Sequence, residues 1–154
     1  MTVNETETTI RPARAGEIDG VLEMYEWLFE EPGSVPPSWS VERASDALSN
    51  AIRSERSAVF VAQQGDRLVG FCTAYLDLDS VRFGPRCWVE DLAVDPGTRS
   101  QGVGHALLGA ARRWARDAGA THLELDTAEA RTDARRFYER ERPSWRSISY
   151  AWKL

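Results

Sequence analysis

Apolar side chains at Ile18, Val21, Leu22, Tyr25, Leu28 and Phe29 recur at steps of three and four, which predicts one amphipathic helix over residues 13–30. Glu31-Pro32-Gly33 stops it, and residues 34–40, with Pro36-Pro37 and Trp39, read as a loop before a weaker helix at 41–54. The pattern then changes period. Residues 58–62 and 68–78 read as strands around a Gly65-Asp66 turn, a hairpin, and residues 87–94 form an apolar strand interrupted by Glu90 and Asp91. Strict alternation puts Glu90 on one face with Trp88, Leu92 and Val94, and Asp91 on the other. Residues 103–118 carry Leu107, Leu108, Ala111 and Trp114 on one helical face, with Gly119 placed as the residue that ends the helix. Strands at 8–12, 122–126 and 147–152 and a helix at 133–140, with Asp133 as its N-cap, complete the order β-α-α-β-β-β-α-β-α-β. This is an α/β chain with a mixed sheet, in which the unit 87–126 forms a right-handed parallel crossover.

No internal repeat or linker divides the chain, so one domain over 8–154 is expected, preceded by a flexible tail at 1–7. No apolar run approaches the ~20 residues of a membrane helix, and the mean hydropathy is −0.44. The first residues have neither a basic nor an apolar signal region, which points to the cytoplasm. Cys72 and Cys87 make neither a disulfide framework nor a zinc site, and no metal is expected.

The net charge of −5 and pI of about 5.1 argue against nonspecific nucleic-acid binding. Residues 1–31 hold eight acids against two arginines. That excess suits a cationic small partner, the alternative being a solvated helix face. Lys153 is the one lysine among 19 basic residues, a bias that reads as a GC-rich coding sequence.

The most informative stretch runs from Val94 to Leu108, where a strand ends and glycines open a long helix. Gly102 and Gly104 let the backbone approach a ligand closely. The free amides of Val103, Gly104 and His105 then face outward at the positive end of the helix dipole, a setting for a phosphate or pyrophosphate. Arg99 adds charge, and Gln101 belongs to the same loop. The Walker pattern fails because no Lys-Ser or Lys-Thr follows the glycines. A dinucleotide fingerprint fails because Leu107 stands where its third glycine belongs.

The spacing Arg99-x-x-Gly102-x-Gly104 resembles the signature of the GNAT superfamily of N-acetyltransferases. Residues 89–96 resemble the superfamily's fourth strand, Ala134-Arg135-Arg136-Phe137-Tyr138 its "Ala-x-x-Phe-Tyr" helix, and Ile10-Arg11-Pro12-Ala13 its opening strand. The resemblance spans residues 8–154. It implies a twisted mixed sheet of about six to seven strands, helices on both faces, and a splayed central parallel pair. One departure stands out: where members carry a Leu-Gly-Phe turn into a sixth strand, this chain has Glu141-Arg142-Pro143-Ser144-Trp145.

The resemblance further implies acetyl-CoA as co-substrate and direct attack of an amine on the thioester through a tetrahedral intermediate. The pantetheine arm pairs with Leu92, Ala93 and Val94, one of whose amides polarises the carbonyl. Gly102 to His105, the last through its amide, hold the pyrophosphate, and Arg131 and Arg135 are candidates for further phosphate contacts, with solvated charge as the alternative. Tyr138 is the candidate general acid: a phenol of pKa about 10 can protonate a thiolate whose conjugate acid lies near 8.5. Glu90 is the candidate base, in a Glu-Asp pair similar to that of spermidine/spermine N-acetyltransferases. Alternatively, both acids only bind the acceptor.

In such a fold the first two helices and the end of the third strand build the acceptor site, here with Glu26, Trp27, Glu30, Trp39, Tyr75 and Asp77, joined by Asp91. Acids with aromatics suit a small cationic amine. Residues 131–140 resemble the aminoglycoside acetyltransferase branch, which implies an antibiotic or polyamine-like acceptor and a resistance role. Peptide acetylation and non-catalytic acyl-CoA sensing are the alternatives. A homodimer is also expected, with the aromatic end Trp145–Trp152 as its contact.

Overall fold

The structure, a computed structural model, describes residues 7–154, so the expected tail lies outside the described residues except for Glu7. Five strands form one sheet in the order β1 (Thr8–Pro12), β2 (Ser57–Gln64), β3 (Arg67–Ser80), β4 (Gly84–Val94), β5 (His122–Glu124). The first four are antiparallel neighbours and β5 joins β4 in parallel, which realises the expected mixed sheet and crossover. Five helices are described: α1 (Ile18–Met24), α2 (Glu26–Phe29), α3 (Val41–Arg53), α4 (Val103–Asp117) and α5 (Thr132–Arg140). None of the described helices is long and apolar enough to cross a membrane.

The sheet buries both faces. On one, Leu107 and Ala111 of α4 pack with Cys72, Ala74, Cys87 and Val89. On the other, Val21 and Met24 of α1 and Leu48 and Ala51 of α3 pack with Val59, Val61, Phe71 and Ala93. Local chemistry sets the helix limits. The Ser40 hydroxyl accepts from the Arg43 amide at 3.0 Å to open α3, and α4 ends before Gly119, whose φ of 87° is the left-handed conformation expected of it. Leu107 is fully buried at the centre of the first core. Leu107→Ala is expected to destabilise the fold by about 2–5 kcal/mol, read as a lower urea midpoint at unchanged slope.

Four expectations need correction. The helix expected over 13–30 is broken at Tyr25 into α1 and α2, with a short 3-10 turn at Ala15–Glu17 before them. The Tyr25 side chain instead reaches across to Asp91. The strand expected to end at Asp126 stops at Glu124. Asp133 is not an N-cap: α5 begins at Thr132, and the Asp133 carboxylate lies exposed, 3.8 Å from Arg136. Last, residues 147–152 form no strand, leaving five among the described residues rather than six or seven. After α5, Arg142 takes a left-handed φ of 58° and Pro143 follows without an amide hydrogen. The chain leaves the sheet there, with Ile148, Tyr150 and Trp152 exposed.

Candidate active site

β4 and β5 pair only between Arg86–Trp88 and His122–Glu124. Beyond Trp88, β4 continues to Val94 with β3 on one side and no strand on the other. The central parallel pair is therefore splayed, and the β4 edge carrying Leu92, Ala93 and Val94 has unpaired backbone groups to offer an extended ligand.

At the end of β4, the Asp95 carboxylate accepts from the Gly97 amide at 2.8 Å and from Arg67 at 2.7 Å, fixing the turn. Ser100 and Gly102 follow with φ of 67° and 81°. The first α4 bond runs from the Ala106 amide to the Gly102 carbonyl at 3.0 Å, so the amides of Val103, Gly104 and His105 have no partner within the helix. Nothing lies within 4 Å of where a Cβ on Gly102 would sit, so the cradle is open. Gly104 faces the other way: a Cβ there would stand 3.3 Å from the Phe137 ring, and so α5 rests on the loop. Oriented amides in an open cradle fit a pyrophosphate.

Arg99 is exposed beside this loop, and Gln101 accepts from Gln64 at 3.4 Å. The His105 imidazole is turned to Glu141, with Nδ1 2.8 Å from its carboxylate, a partner absent from the sequence reading. Arg135 is exposed, donating to the Glu129 carbonyl at 3.3 Å. Arg131 donates to the Leu28 carbonyl at 2.9 Å, which ties the start of α5 to α2 rather than to the phosphate loop.

A second feature corrects the alternation expected of β4. Val89 pairs with Ala74 and Asp91 with Thr73, so Glu90 is an extra residue, a β-bulge. Cys87 and Val89 pack toward α4 before the bulge, and Leu92 and Val94 do so after it. Glu90 and Asp91 therefore both face the opposite side, where they line one hollow of about 390 Å³. Its walls include Tyr25, Leu28 and Phe29 of α1–α2, Trp39 of the following loop, Arg43 of α3 and Tyr75 of β3.

Of the acceptor residues expected from sequence, Trp39, Tyr75 and Asp91 line this hollow, and Glu26, Trp27, Glu30 and Asp77 do not. Tyr25, Leu28 and Phe29 occupy the inward stripe, which leaves Glu26 and Glu30 exposed on the outer side. Trp27 lines a separate hollow with Gly20, Glu23 and Arg67. Asp77 is neutralised by Arg86 through two bonds of 2.8 and 3.0 Å. Tyr25, which the sequence reading counted only as helix core, is the main addition.

The hollow is electrostatically organised. The Tyr25 hydroxyl donates to Asp91 at 2.7 Å, and Trp88 Nε1 donates to Glu90 at 2.6 Å. Burial pushes the Asp91 carboxyl above its ordinary range; the Tyr25 bond and Arg131 pull it back, and Glu90 adds to the rise. Burial, then the two acids, raises the Tyr75 phenol as well. A cation is the ligand that relieves two adjacent carboxylates.

Tyr138 comes to the splay from α5. Its ring packs on the α4-side core beside Phe137, yet its hydroxyl makes no hydrogen bond to the described residues. Burial, with smaller contributions from Cys72 and Asp91 and against Arg131, raises its pKa, so the phenol stays a proton donor. Among the described residues no group of three or more His, Cys, Asp or Glu side chains is placed to hold a metal ion.

Residues 21–142 match the family described as Acetyltransferase (GNAT) family. The chain is 32% identical over 98 residues to an uncharacterised N-acetyltransferase, YhdJ, of Bacillus subtilis, covering 64% of this chain and 68% of that protein. It is 35% identical over 86 residues to an aminoglycoside N(6')-acetyltransferase type 1 of Stenotrophomonas maltophilia, covering 53% and 56%. The matched stretch thus spans about two thirds of the first relative and just over half of the second. The fold is similar, at a TM-score of 0.82 and 19% identity over the whole of both chains, to an aminoglycoside N-acetyltransferase solved in complex with CoA.

Proposed function

Because this chain belongs to the GNAT acetyltransferase family, whose members are acyltransferases that use acetyl-CoA, we propose that it acetylates a primary amine of a small polycationic acceptor, aminoglycoside-like in kind. The observation that carries this reading is the bulge at Glu90, which turns two adjacent carboxylates into one aromatic-walled hollow beside the splayed strands. The loop carrying Pro36, Ser38 and Trp39 closes one side, which suits a compact acceptor better than a threaded peptide. The relative from Stenotrophomonas supports the same choice.

When bound, acetyl-CoA supplies the activated acyl group that the amine attacks. The amides of Val103, Gly104 and His105, with Arg99 and Gln101 beside them, hold its pyrophosphate. The free edge of β4 at Leu92–Val94 aligns the pantetheine, and one amide there polarises the carbonyl. Asp91, held by Tyr25, binds the ammonium group, while Glu90 takes its proton directly or through water. Tyr138 protonates the departing thiolate. Arg131 fastens the Tyr138 helix to the acceptor wall, and Arg135 remains a candidate for the outer phosphate. The protein acts in the cytoplasm as a homodimer, and antibiotic resistance is its biological role.

Thiol release from acetyl-CoA over a panel of aminoglycosides, polyamines and amine-bearing short peptides tests the acceptor class. The highest kcat/KM is expected on an aminoglycoside; a peptide ahead of every small amine overturns the assignment. Gly102→Val tests the cradle separately. A left-handed conformation costs a residue with a Cβ about 1–2 kcal/mol, so the KM for acetyl-CoA is expected to rise about tenfold while kcat changes little.

A further inference from the structure

β3 carries a bulge of its own. Leu76 pairs with Cys87 and Leu78 with Arg86, so Asp77 is an extra residue opposite the part of β4 that leads to Glu90. The two bulges, one in each strand, cancel, and the strands are level again on either side of them. Both extra residues are acids. Cys87 and Val89 pack toward α4, so Arg86 and Trp88 alternate to the other face, between the two carboxylates.

The contacts run in series. Asp77 accepts from Arg86 Nε and Nη2 at 3.0 and 2.8 Å, and Glu124 of β5 accepts from Nη1 at 3.2 Å. The guanidinium, held from both neighbouring strands, lies 5.1 Å over the Trp88 ring. The Trp88 indole then donates to Glu90 Oε2 at 2.6 Å. Trp88 pairs with Glu124 in the last rung that β4 and β5 share, so the series stands where the two strands part.

Glu90 needs such support. It is exposed on its bulge beside the like charge of Asp91, which turns an unheld carboxylate away toward water. An indole has one N–H and no acceptor, so it fixes one carboxylate oxygen in direction and cannot take a proton from it. Oε1 has no hydrogen-bond partner among the described residues and stays open to a proton.

We propose that Trp88 is a positioning residue that holds Glu90 aimed into the hollow, and that Arg86, clamped by Asp77 and Glu124, seats Trp88. Asp77, expected from sequence to bind the acceptor, thus supports the base from behind. The inference rests on the reading of Glu90 as the base.

Kinetics at saturating acceptor, in two backgrounds, test it. Trp88→Phe keeps a ring beside Arg86 and removes the N–H. It is expected to lower kcat about tenfold, part of the ~10²–10⁴ of a positioned base, with both KM values within about twofold. Because Trp88 acts through Glu90, adding Trp88→Phe to Glu90→Gln is expected to change kcat by less than about twofold. A drop of equal size in both backgrounds overturns the positioning role and leaves Glu90 as the base. An unchanged kcat in Glu90→Gln alone overturns the base reading, and this inference with it. Asp77→Asn is expected to lower kcat by a smaller factor at unchanged acceptor KM. A raised acceptor KM there returns Asp77 to the acceptor and overturns the seat.

The indole N–H resonances read the bond without altering Trp88. Trp88 is the one tryptophan of six whose indole N–H has a protein partner among the described residues, and that partner is charged. Its signal is expected to be the most downfield of the six and to move upfield in Glu90→Gln. Six unmoved signals overturn the inference even where Trp88→Phe fails to fold.

Discussion

Replacing Tyr138 by phenylalanine is expected to lower kcat by about 10²–10⁴-fold, the contribution of a positioned general acid, and to leave the KM for acetyl-CoA and the thermal midpoint unchanged. The separation follows from how the side chain is held. Its ring packs on the α4 core, so phenylalanine fills the same space, and its hydroxyl has no hydrogen-bond partner among the described residues to lose. The pH profile carries a second expectation. Burial raises the phenol above its ordinary value, so the acid form persists on the alkaline side and wild-type kcat shows no fall through pH 10 from loss of this proton. A Tyr138→Phe enzyme with wild-type kcat removes the residue from the chemistry.

Asp91→Asn is expected to weaken the acceptor at least about thirtyfold in kcat/KM, corresponding to the ~2 kcal/mol lower end for removing one partner of a buried charge pair. The asparagine keeps an oxygen for the Tyr25 hydroxyl now bonded at 2.7 Å, so α1 stays seated and the loss reports charge rather than unfolding. Acid has the same effect on the wild-type enzyme. Because the Asp91 carboxyl titrates above the ordinary carboxylate range, the acceptor KM rises as pH falls while exposed carboxylates are still ionised. That acid-side rise is absent in Asp91→Asn. An unchanged kcat/KM for cationic acceptors in this variant places the ammonium elsewhere.

The open backbone at Gly102, the candidate phosphate cradle, was legible because its geometry is local. Gly102 and Gly104 act through the backbone, and a strand followed by glycines and a helix fixes the amides without long-range information. The acceptor hollow was legible only in part. Glu26 and Glu30 attract notice as acids, yet Tyr25, Leu28 and Phe29 decide which side of the helix faces inward, and the apolar spacing already contained that choice. The bulge had a signal as well: Cys87 and Val89 pack on the α4 side, then Leu92 and Val94, a slip of one residue in a period of two. Reading residues 87–94 as one unbroken alternation missed it and parted Glu90 from Asp91. The unpaired 147–152 segment could not be read from its own pattern. Alternation shows that a strand wants a partner, and which edge is free depends on the whole fold.

The most direct test of the central claim is to incubate the protein with acetyl-CoA and a multi-amine aminoglycoside, measuring free thiol and N-acetylated product together by mass spectrometry. The account predicts equimolar thiol and singly acetylated amine, both lost in Tyr138→Phe and both reduced in Asp91→Asn. Thiol released without acetylated amine, or no turnover on any amine while CoA binds at the Gly102 loop, contradicts it.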